Sequence, residues 1–206
     1  MRNSRSNRRR SQRGTAAIEF AMVSLTLFVP MLLITVVLGL NLGRAIQGTQ
    51  VARDAGSMYM RGVDFSLPDN KLLIQRLTNG MNMTTTGGNG VVILSTVTFI
   101  SAAACAPILP SPCNSDKYVL TERITIGNSS LRTSNFPASG SISQDSSGNV
   151  LNYMTDPNAV IANFGTNVMT LSGGEFSYVA ESYFSSPDFD MPGVATGTGT
   201  YSRAVY

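Results

Sequence analysis

The chain has no histidine and no tryptophan, and only two cysteines in 206 residues. The lack of histidine removes the commonest general base and the commonest metal ligand, so a Ser-His-Asp set is impossible. Two thiols without a histidine or a second pair make at most half a zinc site. No Gly-rich phosphate loop is present either, so the residues call for no cofactor and no small-molecule substrate, and the chain reads as a non-enzyme. Charge is scarce: Asp, Glu, Lys and Arg are 13% of the chain, about half the ~25% usual for soluble domains. No acid precedes Glu19, yet six of the fifteen cations are Arg2, Arg5, Arg8, Arg9, Arg10 and Arg13. The formal charge of +3 therefore belongs to the first thirteen residues, and the rest carries nine cations against twelve acids. A basic leader on a mildly acidic chain argues against nucleic acid as a partner.

What the sequence does have is a long apolar run. Phe20 to Leu42 holds twenty-three residues without a charge, fourteen of them Leu, Ile, Val or Phe. As a helix it is roughly 34 Å long, enough to cross a ~30 Å hydrocarbon layer. Its large apolar side chains contribute roughly 4–8 kcal/mol to insertion. The competing reading, a buried core helix, is a poor fit for six all-round apolar turns in a domain of this size. Six cations precede the run, and only Arg44 and Arg53 follow it closely. The positive-inside rule then keeps the N-terminus cytoplasmic and sends residues 44–206 outside. A cleaved secretory signal is the other alternative, but its apolar core is normally 7–15 residues.

Between the arginines and the apolar run lies Arg13-Gly14-Thr15-Ala16-Ala17-Ile18-Glu19-Phe20. A carboxylate at the mouth of a membrane helix is costly unless paired or protonated, and so marks function by default. The plainer account is a first-turn Glu favoured by the helix dipole. A cut after Gly14 would make Thr15 a new N-terminus with Glu19 one helical turn away, within reach of its own ammonium or a neighbouring subunit's.

A basic leader ending in Gly, four residues, then Glu and an aromatic ahead of an apolar helix resembles the type IV prepilin processing site. Gly14, Glu19 and Phe20 match the type IVb form of the tight-adherence (Tad) pilus system, and the large second part is similar to TadE/TadF-like minor pseudopilins. The resemblance implies a cut between Gly14 and Thr15 by a membrane prepilin peptidase. It also implies a role for Glu19 and Phe20 in processing or assembly, and other pilin and pseudopilin subunits as partners. The implied location is the bacterial inner membrane, single-pass, with incorporation into a pilus. The stretch Val51-Ala52-Arg53-Asp54-Ala55-Gly56 resembles the segment that follows the span in such proteins, whereas Ser57-Met58-Tyr59-Met60 departs from it.

Three parts follow: a leader over 1–14, a transmembrane and extended helix over 15–62, and an extracytoplasmic domain over 63–206. Ala45, Val51, Ala52, Ala55, Met58 and Tyr59 recur at helical spacing, which carries the helix to about residue 61. Gly39 and Gly43 form a GxxxG that lets helices approach closely, or are simply two glycines in a membrane helix. Pro30 removes one backbone donor and predicts a kink.

Beyond Asp64, Ser66-Leu67-Pro68-Asp69 starts a helix over roughly 67–80, with Leu72, Leu73, Leu77 and Met81 on its apolar side. Val91–Ser101 is apolar on both faces and suits a central strand. Tyr118–Ile126 alternates, placing Tyr118, Leu120, Ile124 and Ile126 on one face, interrupted by Glu122. Phe176–Phe184 is a third strand, and Tyr201–Val205 fits a short last one. Residues 141–149 and 185–200 read as loops. The fold class is α+β: a long N-terminal helix, then a small antiparallel sheet packed on its extension, a plan the resemblance makes pilin-like.

Cys105 and Cys113 sit in a Pro-rich loop between the first two strong strands. Outside the cytoplasm two cysteines favour a disulfide over two free thiols. Gly173-Gly174-Glu175-Phe176 resembles part of a cyclic-dinucleotide synthase loop, but has one acid where those enzymes have two. A turn entering a strand is the better account. Arg8-Arg9-Arg10, before a membrane helix, serves orientation more economically than nucleic-acid binding.

Overall fold

The computed structural model describes residues 15–108, 112–185 and 199–206. The leader, Gly14 included, and nearly all of the 185–200 loop lie outside the described residues. The chain divides into two compact units, residues 1–43 and 44–206.

In the first unit the described residues are helical from Thr15 onward, within a helix, α1, that spans Thr15–Met60. It is long and apolar enough to cross a membrane, and none of its most apolar window is buried. Phe20, Leu25, Leu32, Leu38 and Leu42 are all exposed. Ser24–Phe28 forms a π turn just ahead of Pro30. A proline at 30 has no N–H for the Thr26 carbonyl and its ring crowds that oxygen. A widened turn placed there is one way a helix absorbs the misfit.

The second unit is a four-stranded antiparallel sheet in the order β2-β1-β3-β4. The strands are β1 (Gly90–Ile100), β2 (Lys117–Gly127), β3 (Phe176–Ser185) and β4 (Gly199–Val205). The fold class is thus α+β, with β1 at the centre and buried along nearly all its length. That is the position its unbroken β-branched run requires.

One sheet face is covered by the 44–60 part of α1, through Gly48, Val51, Ala52, Ala55, Gly56 and Tyr59. These residues recur every three to four positions, and most are small, so helix and sheet backbones approach closely. The carbonyl of Gly48 accepts a bond from Ser182 Oγ at 2.9 Å, and Thr49 Oγ1 lies 3.0 Å from Ser202 Oγ. A Cβ added to Gly56 would sit 2.6 Å from the Tyr206 ring and 3.0 Å from Ala180 Cβ.

The opposite face is covered by residues from the 128–171 region. Phe136, Val150, Ala159, Ile161, Phe164 and Leu171 form a second core with Val97, Ile100, Leu120 and Val179.

Two sequence expectations are corrected. Tyr118, Leu120, Ile124 and Ile126 do not share a face. The β1–β2 register shifts between Thr96 and Val97, so Glu122 pairs with Thr96 while Leu120 pairs with Val97. Thr121 is the extra residue of a β-bulge, and one extra residue moves everything beyond it to the other face. Ile124 and Ile126 therefore pack in the helix-side core, and Tyr118 and Leu120 in the other.

The second correction concerns α2 (Pro68–Leu77). It buries Ile74, with Met81 beyond its end, and leaves Leu72 and Leu77 exposed. Its start is held by Asp64, which accepts the Ser66 amide at 2.8 Å and whose carbonyl accepts Asn70 Nδ2 at 2.7 Å. The hydrogen bonds to Ser66 hold the Asp64 carboxyl below its usual range.

A four-residue helix, α3 (Ala102–Cys105), leads from β1 toward β2. Cys105 and Cys113 lie at disulfide distance, with Cα atoms 5.9 Å apart. Cross-linking so short a loop restricts the unfolded chain enough to stabilise by about 2.5 kcal/mol. Replacing both cysteines by serine is expected to lower stability by about that amount, read as a shift in the denaturant midpoint at unchanged slope.

Candidate functional site

The described part of the junction begins at Thr15, the first helical residue. Glu19 follows four residues later, one turn along the helix, and it and Phe20 are solvent-exposed. Gly14 lies outside the described residues, so the geometry of the Gly14–Thr15 bond is not part of the structure. Nothing lies within 4 Å of a Cβ added to Gly39 or Gly43. Both glycines leave an open face on the helix, and within the described chain neither packs against anything.

The hydroxyls of this apolar segment turn inward on their own backbone. Thr26 Oγ1 donates to the Met22 carbonyl at 2.8 Å, and Thr35 Oγ1 to the Met31 carbonyl at 2.9 Å. A hydroxyl satisfied in this way presents no open donor to hydrocarbon. The arrangement suits an apolar solvent around the helix and supplies no chemistry.

In the second unit the polar groups are concentrated at two places that sequence reasoning missed. The first lies between α1 and the sheet. Tyr59 donates to Glu122 Oε2 at 2.7 Å and lies 2.6 Å from Thr96 Oγ1. A phenol has one hydrogen, so Thr96 is the donor in the second bond. The Tyr59 ring also meets Tyr178 edge-on, with centroids 5.5 Å apart. The bulge at Thr121 is what brings Glu122 to the helix side. The signal in the sequence was the acid that broke the alternation.

The second place is the opposite face. Glu181 is 2% exposed. It accepts bonds from Ser134 Oγ, from the Asn135 amide at 2.8 Å and from the Tyr201 hydroxyl at 2.7 Å. Burial first, and then the bond to Glu181, push the Tyr201 hydroxyl above its ordinary range, so it stays a neutral donor. Arg132 lies over the Tyr201 ring at 4.3 Å, and Arg203 over the Phe136 ring at 5.2 Å.

Arg123 donates from Nε to Ser95 Oγ at 3.0 Å and from Nη2 to the Phe136 carbonyl at 2.6 Å. Burial draws its guanidinium below the usual range, and the Glu181 charge opposes that shift. Every Glu181 partner is a fixed donor of the fold, and no nucleophile stands beside the carboxylate. The cluster pins the 132–136 segment to the sheet.

Glu175 also has a structural explanation. Its carboxylate accepts the Ser172 amide at 2.7 Å and its carbonyl accepts Thr98 Oγ1 at 2.7 Å, with Gly174 at φ +82°. Gly173–Phe176 is a turn that delivers the chain into β3. Among the described residues no three His, Cys, Asp or Glu side chains gather as a metal site. The widest groove, about 540 Å³, is lined by Lys71, Leu72, Thr85, Thr86, Thr125 and Ser129 among others. No protein-family model, curated protein or solved structure matches this chain.

Proposed function

We propose that the chain is a TadE/TadF-like minor pseudopilin of a tight-adherence (type IVb) pilus, processed after Gly14 by a prepilin peptidase. The observation that carries this reading is the spacing of Gly14, Glu19 and Phe20, behind six arginines and ahead of an exposed apolar helix. On this reading the arginine leader holds the precursor N-terminus in the cytoplasm. Cleavage frees the Thr15 ammonium, and Glu19 meets an ammonium of its own or of a neighbouring subunit during assembly. The apolar helix then passes from lipid into a helical bundle with other pilin and pseudopilin subunits, where the open faces at Gly39 and Gly43 admit close neighbours. The sheet unit stays outside the inner membrane and meets those subunits. No catalytic step is assigned to it.

The second reading is a signal-anchored surface or adhesin domain that is never processed. It shares the apolar helix and the sheet but needs no motif at Gly14. Intact mass separates the two. Expression with a prepilin peptidase should yield a chain lacking residues 1–14. Gly14→Val, or omission of the peptidase, should leave it full length. A full-length product in every arm would sink the pseudopilin reading and leave the anchored domain.

A further inference from the structure

We propose that the outer edge of β4 is a pairing surface for a second copy of this chain, joined strand to strand about a two-fold axis. The surface lies in the sheet unit and does not depend on processing at Gly14. The two edges of the sheet differ. The outer edge of β2 is closed by the chain itself: the Arg123 amide bonds to the Gly148 carbonyl, that of Val150 to Thr121, and that of Ile161 to Tyr118, all at 2.8–2.9 Å.

At β4 the ladder shows which groups face outward. Tyr178 and Tyr206 exchange both backbone bonds, each at 2.9 Å. Such doubly bonded pairs alternate along an antiparallel ladder. With the register Ala180↔Ala204 and Ser182↔Ser202, the even-numbered residues of β4 therefore bond to β3. The N–H and C=O groups of Tyr201, Arg203 and Val205 point away from it, and among the described residues no backbone group pairs with them. Exposed edges are normally blunted by Lys, Pro or a bulge. β4 reads GTYSRAV in unbroken register and has none of these. Its single charge, Arg203, is drawn over the Phe136 ring.

The occupant follows from the strand's self-complementarity. Two antiparallel copies of Gly199–Val205 overlapped end to end place the midpoint, Ser202, opposite its counterpart. Every outward N–H then meets an outward C=O. Tyr201 falls opposite the partner's Arg203, and Arg203 opposite the partner's Tyr201, an aromatic–cation pairing on each side of the axis. Shifting to the next bonding register would set the two arginines against each other, which like charges disfavour.

The register makes the test specific. Cys105 and Cys113 are bonded to each other and no free cysteine remains among the described residues, so Ser202→Cys introduces a single thiol. Facing Ser202 positions form a non-hydrogen-bonded pair with Cα atoms ~4.5 Å apart, within the range a disulfide spans. Position 204 points to the same side, but its counterpart in the second copy would be roughly 13 Å away. In membranes holding the full chain under mild oxidation, Ser202→Cys should give at least about tenfold more covalent dimer than Ala204→Cys.

Adding Arg203→Pro to Ser202→Cys removes an outward donor while sparing the β3 ladder, and should cut the dimer by a similar factor. A Ser202→Cys chain that stays monomeric would overturn the proposal. So would equal cross-linking from Ala204→Cys, which would mean that the copies meet elsewhere, for instance through their apolar helices. The comparison between positions 202 and 204 holds even if Arg203→Pro fails to fold.

Discussion

Replacing Glu181 by leucine is expected to destabilise the sheet unit by about 3–5 kcal/mol, the cost of breaking a buried charged network on one side. Leucine is close in volume, so the loss is electrostatic rather than a cavity. Three donors aimed at the carboxylate, Ser134 Oγ, the Asn135 amide and the Tyr201 hydroxyl, would be left without an acceptor. A buried unsatisfied donor costs about 1–3 kcal/mol, and relaxation of the exposed Asn135 keeps the sum below three full penalties. Arg132, stacked on Tyr201, and the buried Arg123 would also lose the nearest compensating charge.

Glu181→Gln separates the two contributions, because it retains an acceptor and removes only the charge, and its loss should be the smaller. The measurement is chemical denaturation of the detergent-solubilised chain, followed by tyrosine fluorescence, since there is no tryptophan. A Glu181→Leu midpoint equal to wild type would show that the carboxylate is not what holds the 132–136 segment in place.

The second large effect is expected at Gly56. Leucine there should lower stability by about 3 kcal/mol, at or above the top of the usual range for overpacking. Gly→Ala in a helix normally gains up to about 1 kcal/mol from propensity, so a purely local view predicts stabilisation. The packing reverses the sign. A Cβ alone would come within 2.6 Å of the Tyr206 ring and 3.0 Å of Ala180 Cβ. The ring can swing aside only by giving up its 2.8 Å bond to the Arg53 carbonyl. The Ala180 methyl sits on a central-sheet strand and cannot move.

Gly39→Leu is the control: it lies on the same helix with nothing within 4 Å, so the sheet unit should unfold at the wild-type midpoint. Equal midpoints for Gly56→Leu and Gly39→Leu would show that close helix–sheet approach is not required at Gly56.

The parts of the fold that the sequence made legible are those where local pattern and tertiary demand agree. The run from Val91 to Ile100 could only be a buried strand, and Phe20–Leu42 could only be an apolar helix. What escaped was set by partners distant in sequence. Tyr118–Ile126 has a clean period of two, so nothing local reveals that Thr121 bulges; the trace was Glu122, an acid out of phase with its neighbours. Glu181 sits in a strand of ordinary composition, and its burial comes from residues near 134 and 201. Ile74 displaced Leu72 and Leu77 from the core because the face α2 buries is chosen by the sheet beneath it. In the junction segment the motif was visible at once, while the open faces of Gly39 and Gly43 required coordinates.

The small-residue stripe on α1 also has a consequence for the order of folding. Gly48 meets Phe184 and Ser202, Gly56 meets Ala180 and Tyr206, and the Thr49–Ser202 and Arg53–Tyr206 bonds each join residues 153 positions apart. These partners emerge last as the chain is made, so the stripe stays bare while β1 and β2 can already form their hairpin. Closure of the helix onto the sheet is then a late, long-loop event whose rate is governed by contact order rather than by helix formation. In that interval a row of glycines and alanines is open to whatever else can lie against it.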